Sequence, residues 1–271
     1  MKTFLILILS FFAVNAFAQE YPDSGFTNKA EAKNLMVNGL KEGKWVEYIK
    51  KEWVVDGNDT ITEDTNIANF YSLTAYKAGK PYGIERDYRK DDNLWELFLI
   101  IPYKDGMENG VEKTLSKNGK VTSITSYKNG ELNGFQKDYF SNGGLESEIP
   151  YLDDKENGVE KAYYESGKVK EEIPFTNDTI NGIYKKYYES GKLLSETVYT
   201  LGKKNGIAKE YYESGKVKEE IPYTSGKING IQKEYYENGI LWHEIPYLKG
   251  KLDGVYKEYD ENGNIKSKVI Y

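Results

Sequence analysis

One histidine, no cysteine and a recurring lysine–tyrosine pattern limit the chemistry open to this 271-residue chain. His243 stands where other units have Ser or Glu. A nucleophile–base–acid set needs partners converging on the imidazole, and none can be argued for a lone His. The plainer reading is a residue on a hairpin face. Without Cys there is no thiol nucleophile, no disulfide framework and no thiolate zinc site. Adjacent carboxylates such as Glu171-Glu172 and Glu219-Glu220 look like acid–base pairs, but neighbours on a strand point to opposite faces. They read as solvated charges or lysine partners rather than a glycosidase-like pair. Asp56-Gly57-Asn58-Asp59-Thr60 lacks the glycine and glutamate spacing of an EF-hand, so it reads as a polar hairpin tip. The glycines recur as turn residues with no helix behind them, which argues against a phosphate loop. The expectation is a protein that is not an enzyme and has no metal or cofactor.

What remains is a ladder. Lys113, Lys137, Lys161, Lys185, Lys209, Lys233 and Lys257 recur every 24 residues. Tyr139, Tyr163, Tyr187, Tyr211, Tyr235 and Tyr259 follow two residues later. If these lie on strands, each Lys and its Tyr share a face, about 10 Å from the next pair. The candidate binding residues are therefore Lys137, Tyr139, Lys161, Tyr163, Lys185, Tyr187, Lys209, Tyr211, Lys233 and Tyr235. A structural reading competes: the rings stack into a thin core and the lysine stems lie over them with their heads in water. Cross-strand pairs such as Lys209–Glu219 would add a few tenths of a kcal/mol.

The elements that must position this ladder follow from the glycines. Gly110, Gly134, Gly158, Gly182, Gly206, Gly230 and Gly254 are spaced by 24 residues, and a second glycine follows each nine residues later. A closing aromatic recurs at Tyr127, Tyr151, Phe175, Tyr199, Tyr223, Tyr247 and Tyr271. A fixed period of this size marks an array of one supersecondary unit. In the unit from Gly230, Ile231–Tyr236 and Leu241–Tyr247 are short alternating runs around Glu237-Asn238-Gly239, the pattern of a β-hairpin. Three units have Ser-Gly at the tip, and Ser enters positive φ reluctantly. A three-residue loop needs positive φ only at the Gly. That register sets Tyr235 against Leu241, Tyr211 against Val217, Lys233 against His243 and Ile231 against Ile245. It gathers the apolar residues on one buried face. Pro150, Pro174, Pro222 and Pro246 cannot donate to a ladder and should mark a strand end or bulge. Hairpins pairing in sequence give one antiparallel meander of roughly 16 to 19 strands, about 75–90 Å long.

The chain divides accordingly. Residues 1–18 read as a signal peptide: Lys2, the apolar run Phe4–Ala13, and the cleavage site Ala16-Phe17-Ala18. Residues 19–42 are a polar lead-in, partly helical around Lys29–Met36. Residues 43–109 hold irregular repeats with inserts, and 110–271 hold seven regular units. The unit from Gly83 has 27 residues, with its excess at Arg89–Asn93, where later units have a hairpin tip. Lys and Arg total 37 against 43 Asp and Glu, so the net charge of −6 offers no basic footprint for nucleic acid. After cleavage no segment could cross a membrane. Export to the periplasm, outer-membrane surface or medium is expected.

The unit Gly-x-x-Lys-x-Tyr-Tyr-Glu-Asn-Gly-Lys, closed by Tyr-x-x-Gly-Lys-x-Asn-Gly, is clearest at residues 209–230. It resembles the MORN repeat in its bacterial variant form, strongly over 83–271 and weakly over 43–82. The resemblance implies an all-β array of tandem hairpins. It implies several roles: scaffold, membrane-proximal module, protein-binding surface, or antitoxin component of a toxin–antitoxin pair. The signal peptide departs from a cytoplasmic antitoxin. The leading expectation is a secreted or periplasmic, non-catalytic repeat protein that binds a protein partner. An immunity-type antitoxin is the first alternative. A cell-envelope glycan-binding array is the second, though only Trp95 and Trp242 fall in the repeat zone.

Overall fold

The computed structural model describes residues 25–50, 60–61, 65 and 67–271. The expected signal peptide and most of the Asp56–Asp64 stretch lie outside them. The described residues form an antiparallel meander of 26 strand segments and a single 3-10 turn, Lys29–Glu31. The helical expectation around Lys29–Met36 reduces to that turn, because Leu35–Val37 is already a strand. One unit shows the plan. Gly206–Tyr211 pairs with Val217–Thr224, then a short strand, Lys227–Ile228, leads through Asn229 into Gly230–Tyr235. Such two-residue pieces are interrupted starts of full strands, which is why 26 segments stand where 16 to 19 strands were expected.

The tip of each regular hairpin is the expected three-residue loop. Tyr236 N–H donates to Ile240 O at 2.9 Å and Gly239 N–H to Tyr236 O at 2.8 Å. Gly215 and Gly239 have φ of +89° and +94°. Tyr235 pairs with Leu241 and Tyr211 with Val217, also as expected.

One residue further the expected register fails. Trp242 bulges out, so Glu234 pairs with His243, Lys233 with Glu244, and Ile231 with Pro246 instead of Ile245. The same shift recurs in the other regular hairpins, and Lys209 pairs with Glu220 rather than Glu219. The expectation assumed one buried face that would select the register. No such face exists: Ile231 is 49% exposed, and none of residues 151–271 is fully buried. With a single layer in water, the bulge can re-aim the strand so that each Lys meets a Glu.

Two further devices fix the repeat. The turn between hairpins has two residues, as at Ser225-Gly226 with φ of +50° and +85° between the paired Thr224 and Lys227. Positive φ at both positions is the I′ geometry that matches strand twist. The repeat glycine then lies against the proline of the preceding strand. A Cβ at Gly182 (φ +133°) would stand 2.9 Å from Pro174 Cγ. Pro174 lies inside Val169–Thr176, where the next strand bulges between Ile180 and Gly182 and needs no N–H from it. Its carbonyl accepts from Asn181 N–H at 2.9 Å.

The buried core sits at the N-terminal end. Leu40–Lys50, Phe70–Lys77 and Lys80–Asp91 pair side by side. The lead-in crosses one of their faces and inserts Phe26, fully buried, against Tyr71 and Leu73. Val46, Tyr48, Tyr88 and Trp95 pack around that cluster, and Arg86 donates to Phe26 O at 3.2 Å. The irregular first units thus carry the cap, and the regular units are a solvated sheet. The extra residues of the Gly83 unit lengthen its hairpin to a two-residue turn at Asp92-Asn93, both at positive φ.

Candidate interaction faces

The strand period sorts side chains onto two faces. On the first, the pairings place Lys137, Glu148, Lys161, Glu172, Lys185, Glu196, Lys209, Glu220, Lys233, Glu244 and Lys257 in one transverse row. Lysine and glutamate alternate strand by strand. Nζ–Oε distances are 3.4 Å for Lys137–Glu148, 3.4 Å for Lys209–Glu220 and 2.7 Å for Lys257–Glu244.

The tyrosines complete the row. Tyr163, Tyr187, Tyr211 and Tyr235 each donate their hydroxyl to Glu148, Glu172, Glu196 and Glu220 of the preceding strand, at 2.8 to 3.1 Å. Burial, reinforced by that carboxylate, pushes the Tyr187, Tyr211 and Tyr235 hydroxyls up to about 12. Tyr139 lies in the same row of tyrosines, opposite Leu145. The second tyrosine of each pair reaches the other way. Tyr164, Tyr188, Tyr212 and Tyr236 donate to the carbonyl of the next unit's first tyrosine at 2.6 to 2.9 Å.

All ten lysines and tyrosines named from the sequence therefore share one face. The residues missed were their partners, Glu148, Glu172, Glu196, Glu220 and Glu244. Their 24-residue recurrence was visible, but the expected register put them on the wrong side. Because this ladder satisfies its own charges, much of it is structural. Beside it runs an exposed apolar edge, with Phe135 at 41%, Ile183 at 46% and Ile207 at 50% exposure.

The second face carries the closing aromatics. Here Tyr103 pairs with Glu108 and Tyr151 with Glu156. Glu85, Glu108, Glu112, Glu156 and Glu160 are all held above the usual carboxylate range, first by burial and, except at Glu108, then by neighbouring carboxylates. Glu85, which accepts from the Thr74 hydroxyl at 2.6 Å, is pushed up to about 7. His243 also stands on this face, its Nδ1 2.7 Å from Glu234 and its ring stacked 4.2 Å from Trp242. It is thus a residue on a hairpin face, but on the side opposite the one that the expected pairing with Lys233 gave it. A shallow hollow of about 360 Å³ lies at Asp138, Ser147, Ala162 and Lys170. Among the described residues no acidic or imidazole group is arranged to hold a metal ion, and no helix is long and apolar enough to cross a membrane.

The MORN repeat variant profile matches residues 108–129, 132–153, 156–177, 180–200, 204–225, 228–249 and 252–271. No curated protein matches the chain. The matched segments coincide with the hairpin units and cover more than half of the sequence. A tandem array with this hairpin plan and these profile matches belongs to the MORN repeat variant family.

Proposed function

We infer that the chain is an exported, non-catalytic scaffold that binds a protein partner across its repeat faces. The observation that supports this most is the spread of its chemistry-bearing side chains. They stand in rows, one set per hairpin at about 10 Å intervals, rather than converging on a reacting atom. Repeat sheets of this kind offer extended surfaces to partners. Export rests on the N-terminal Lys2, apolar run and Ala16-Phe17-Ala18.

Affinity capture from the native envelope with the mature chain tests the reading. One protein retained in stoichiometric amount and released by salt supports it. A retained toxin would specify the antitoxin role. Retention of purified cell wall alone would replace the scaffold with a glycan-binding array, for which Trp242, 37% exposed and stacked on Tyr236, is the available platform. Turnover of any envelope component by the purified chain would overturn the non-catalytic part.

A further inference from the structure

Between Tyr103 and Glu160 the second face carries carboxylates that the chain leaves unmatched. The carboxylates of Glu108, Glu112, Glu156 and Glu160 have no ion pair or hydrogen bond among the described residues. The first face, by contrast, gives each interior glutamate a lysine on either side. Tyrosines border the unmatched carboxylates. Glu108 and Glu112 lie between Tyr103 and Tyr127, and Glu156 and Glu160 between Tyr151 and Phe175.

The chain itself shows what such a station accepts. At the N-terminal end of this face Lys41 Nζ lies 2.5 Å from Glu47 Oε1. The same ammonium stands 5.1 Å from the Trp45 ring centre and 4.7 Å from that of Tyr76. Further along, Lys204 occupies the position equivalent to Glu108 and Glu156, four and two units later. Its Nζ stands 4.9 Å from the ring centre of Tyr223, the next unit's closing aromatic. At Lys41 cation, carboxylate and rings thus meet, and at Lys204 a cation again lies over a ring of this face. In the middle the carboxylates and rings are present and the cation is missing. Desolvated carboxylates beside π-faces favour a lysine or arginine side chain, with guanidinium best suited to the flat ring and forked carboxylate contacts.

We propose that the tyrosine-bordered face between Tyr103 and Glu160 docks an extended, basic segment of a partner protein, seating one cationic side chain at Glu108/Glu112 and a second at Glu156/Glu160. This deepens the scaffold reading and rests on it. The two stations are two units apart, four strand spacings or about 19 Å along the sheet. An extended chain covers that distance in about six residues. The preferred segment therefore carries arginines or lysines about six residues apart and runs across the strands.

The probe is a labelled, otherwise uncharged peptide with two arginines six apart, titrated against the whole mature chain at low ionic strength. Controls are the same peptide with glutamates and one with arginines three apart. The six-apart peptide should bind at least about tenfold tighter than its glutamate version and weaken steeply with salt. The three-apart peptide should bind like a single-station ligand. Glu108→Gln/Glu112→Gln and Glu156→Gln/Glu160→Gln should each lower the affinity about fivefold or more and erase the spacing preference. These replacements remove repulsion rather than contacts, so the variants should keep the all-β circular dichroism. Should one pair unfold, the other decides. Lys120→Gln, at an exposed hairpin tip outside both rows, should leave binding unchanged or slightly stronger. Equal binding of both peptides, or indifference to both glutamate pairs, overturns the proposal. A native partner still retained in that event, and lost on replacement of first-face residues, would leave the scaffold reading standing.

Discussion

A methyl group on Gly182 would meet the Pro174 ring at 2.9 Å while forcing an L-residue to φ +133°. Gly206 has a similar backbone, φ +104°, but faces Val198 with 3.6 Å of clearance. Gly182→Ala should therefore cost about 1–3 kcal/mol and Gly206→Ala less, by the difference between strain plus clash and strain alone. Adding Pro174→Val to Gly182→Ala should recover part of the loss, since the Val198 unit shows the roomier arrangement. Urea unfolding of the three variants checks the order. Glu85 carries the second residue-scale prediction. Its folded pKa, about 7, lies above the ordinary 4.5, chiefly through burial. Such a group contributes stability fully below pH 4.5, and the contribution is lost as pH rises through 7. Glu85→Gln should thus stabilise the protein by roughly 1–3 kcal/mol at pH 8 and hardly at all at pH 4. Equal effects at both pH values in thermal unfolding would contradict the burial of this carboxyl.

At the scale of the element, the turns and the tyrosine pairs determine how hairpins join. The two-residue turn needs positive φ twice, yet one unit places Leu201 there at φ +48°, with its side chain 75% exposed. The left-handed region costs a branched L-residue roughly 1 kcal/mol, and Asn enters it readily. Leu201→Asn should raise stability by about 0.5–1 kcal/mol and remove an exposed apolar group, measured as a higher urea midpoint at unchanged m. The tyrosine pairs staple units in both directions. Tyr212 reaches forward to Tyr235 O at 2.6 Å, and Tyr211 reaches back to Glu196 at 2.8 Å. Tyr212→Phe should cost about 0.5–1.5 kcal/mol, the worth of one half-buried hydrogen bond. Hydrogen exchange should show the loss at the seam between these two units rather than across the chain.

For the whole molecule, stability should be a sum of unit and seam terms, with the N-terminal cap as the best-packed part. Removing Gly182–Asn205 takes out one unit and joins equivalent positions. Glu172 then meets Lys209, so the alternating row closes without a like-charge pair. The product should be soluble, all-β and shorter by about 10 Å. Removing only Gly182–Leu193 deletes one strand and its turn, so every later strand runs the wrong way to pair. That variant should aggregate. Circular dichroism and X-ray scattering on both deletions decide it, and equal tolerance would contradict the meander.

The 24-residue glycine pattern, the Ser-Gly and Asn-Gly tips and the alternating Lys–Tyr spacing determined the hairpin array, the three-residue tip loop and the shared face of the ten named residues. These are local properties. Positive φ at a glycine and the two-residue strand period are set within one hairpin, so they can be read from its sequence. Which glutamate meets Lys209 was decided by the tertiary structure, because a single bulged residue at Lys218, like that at Trp242, shifts the pairing of everything beyond it. Nothing in the residue types marks that bulge, and a one-layer sheet has no buried face to fix the register in advance. Likewise the sequence displayed Glu108, Glu112, Glu156 and Glu160 as ordinary surface charges. Only the pairing of successive strands set them on one face, in a stretch without lysines of its own and beside rings whose counterparts the chain fills with Lys41 and Lys204. Electrostatic fields add over neighbours in space, so the charge difference between the two faces appears only once the strands are paired.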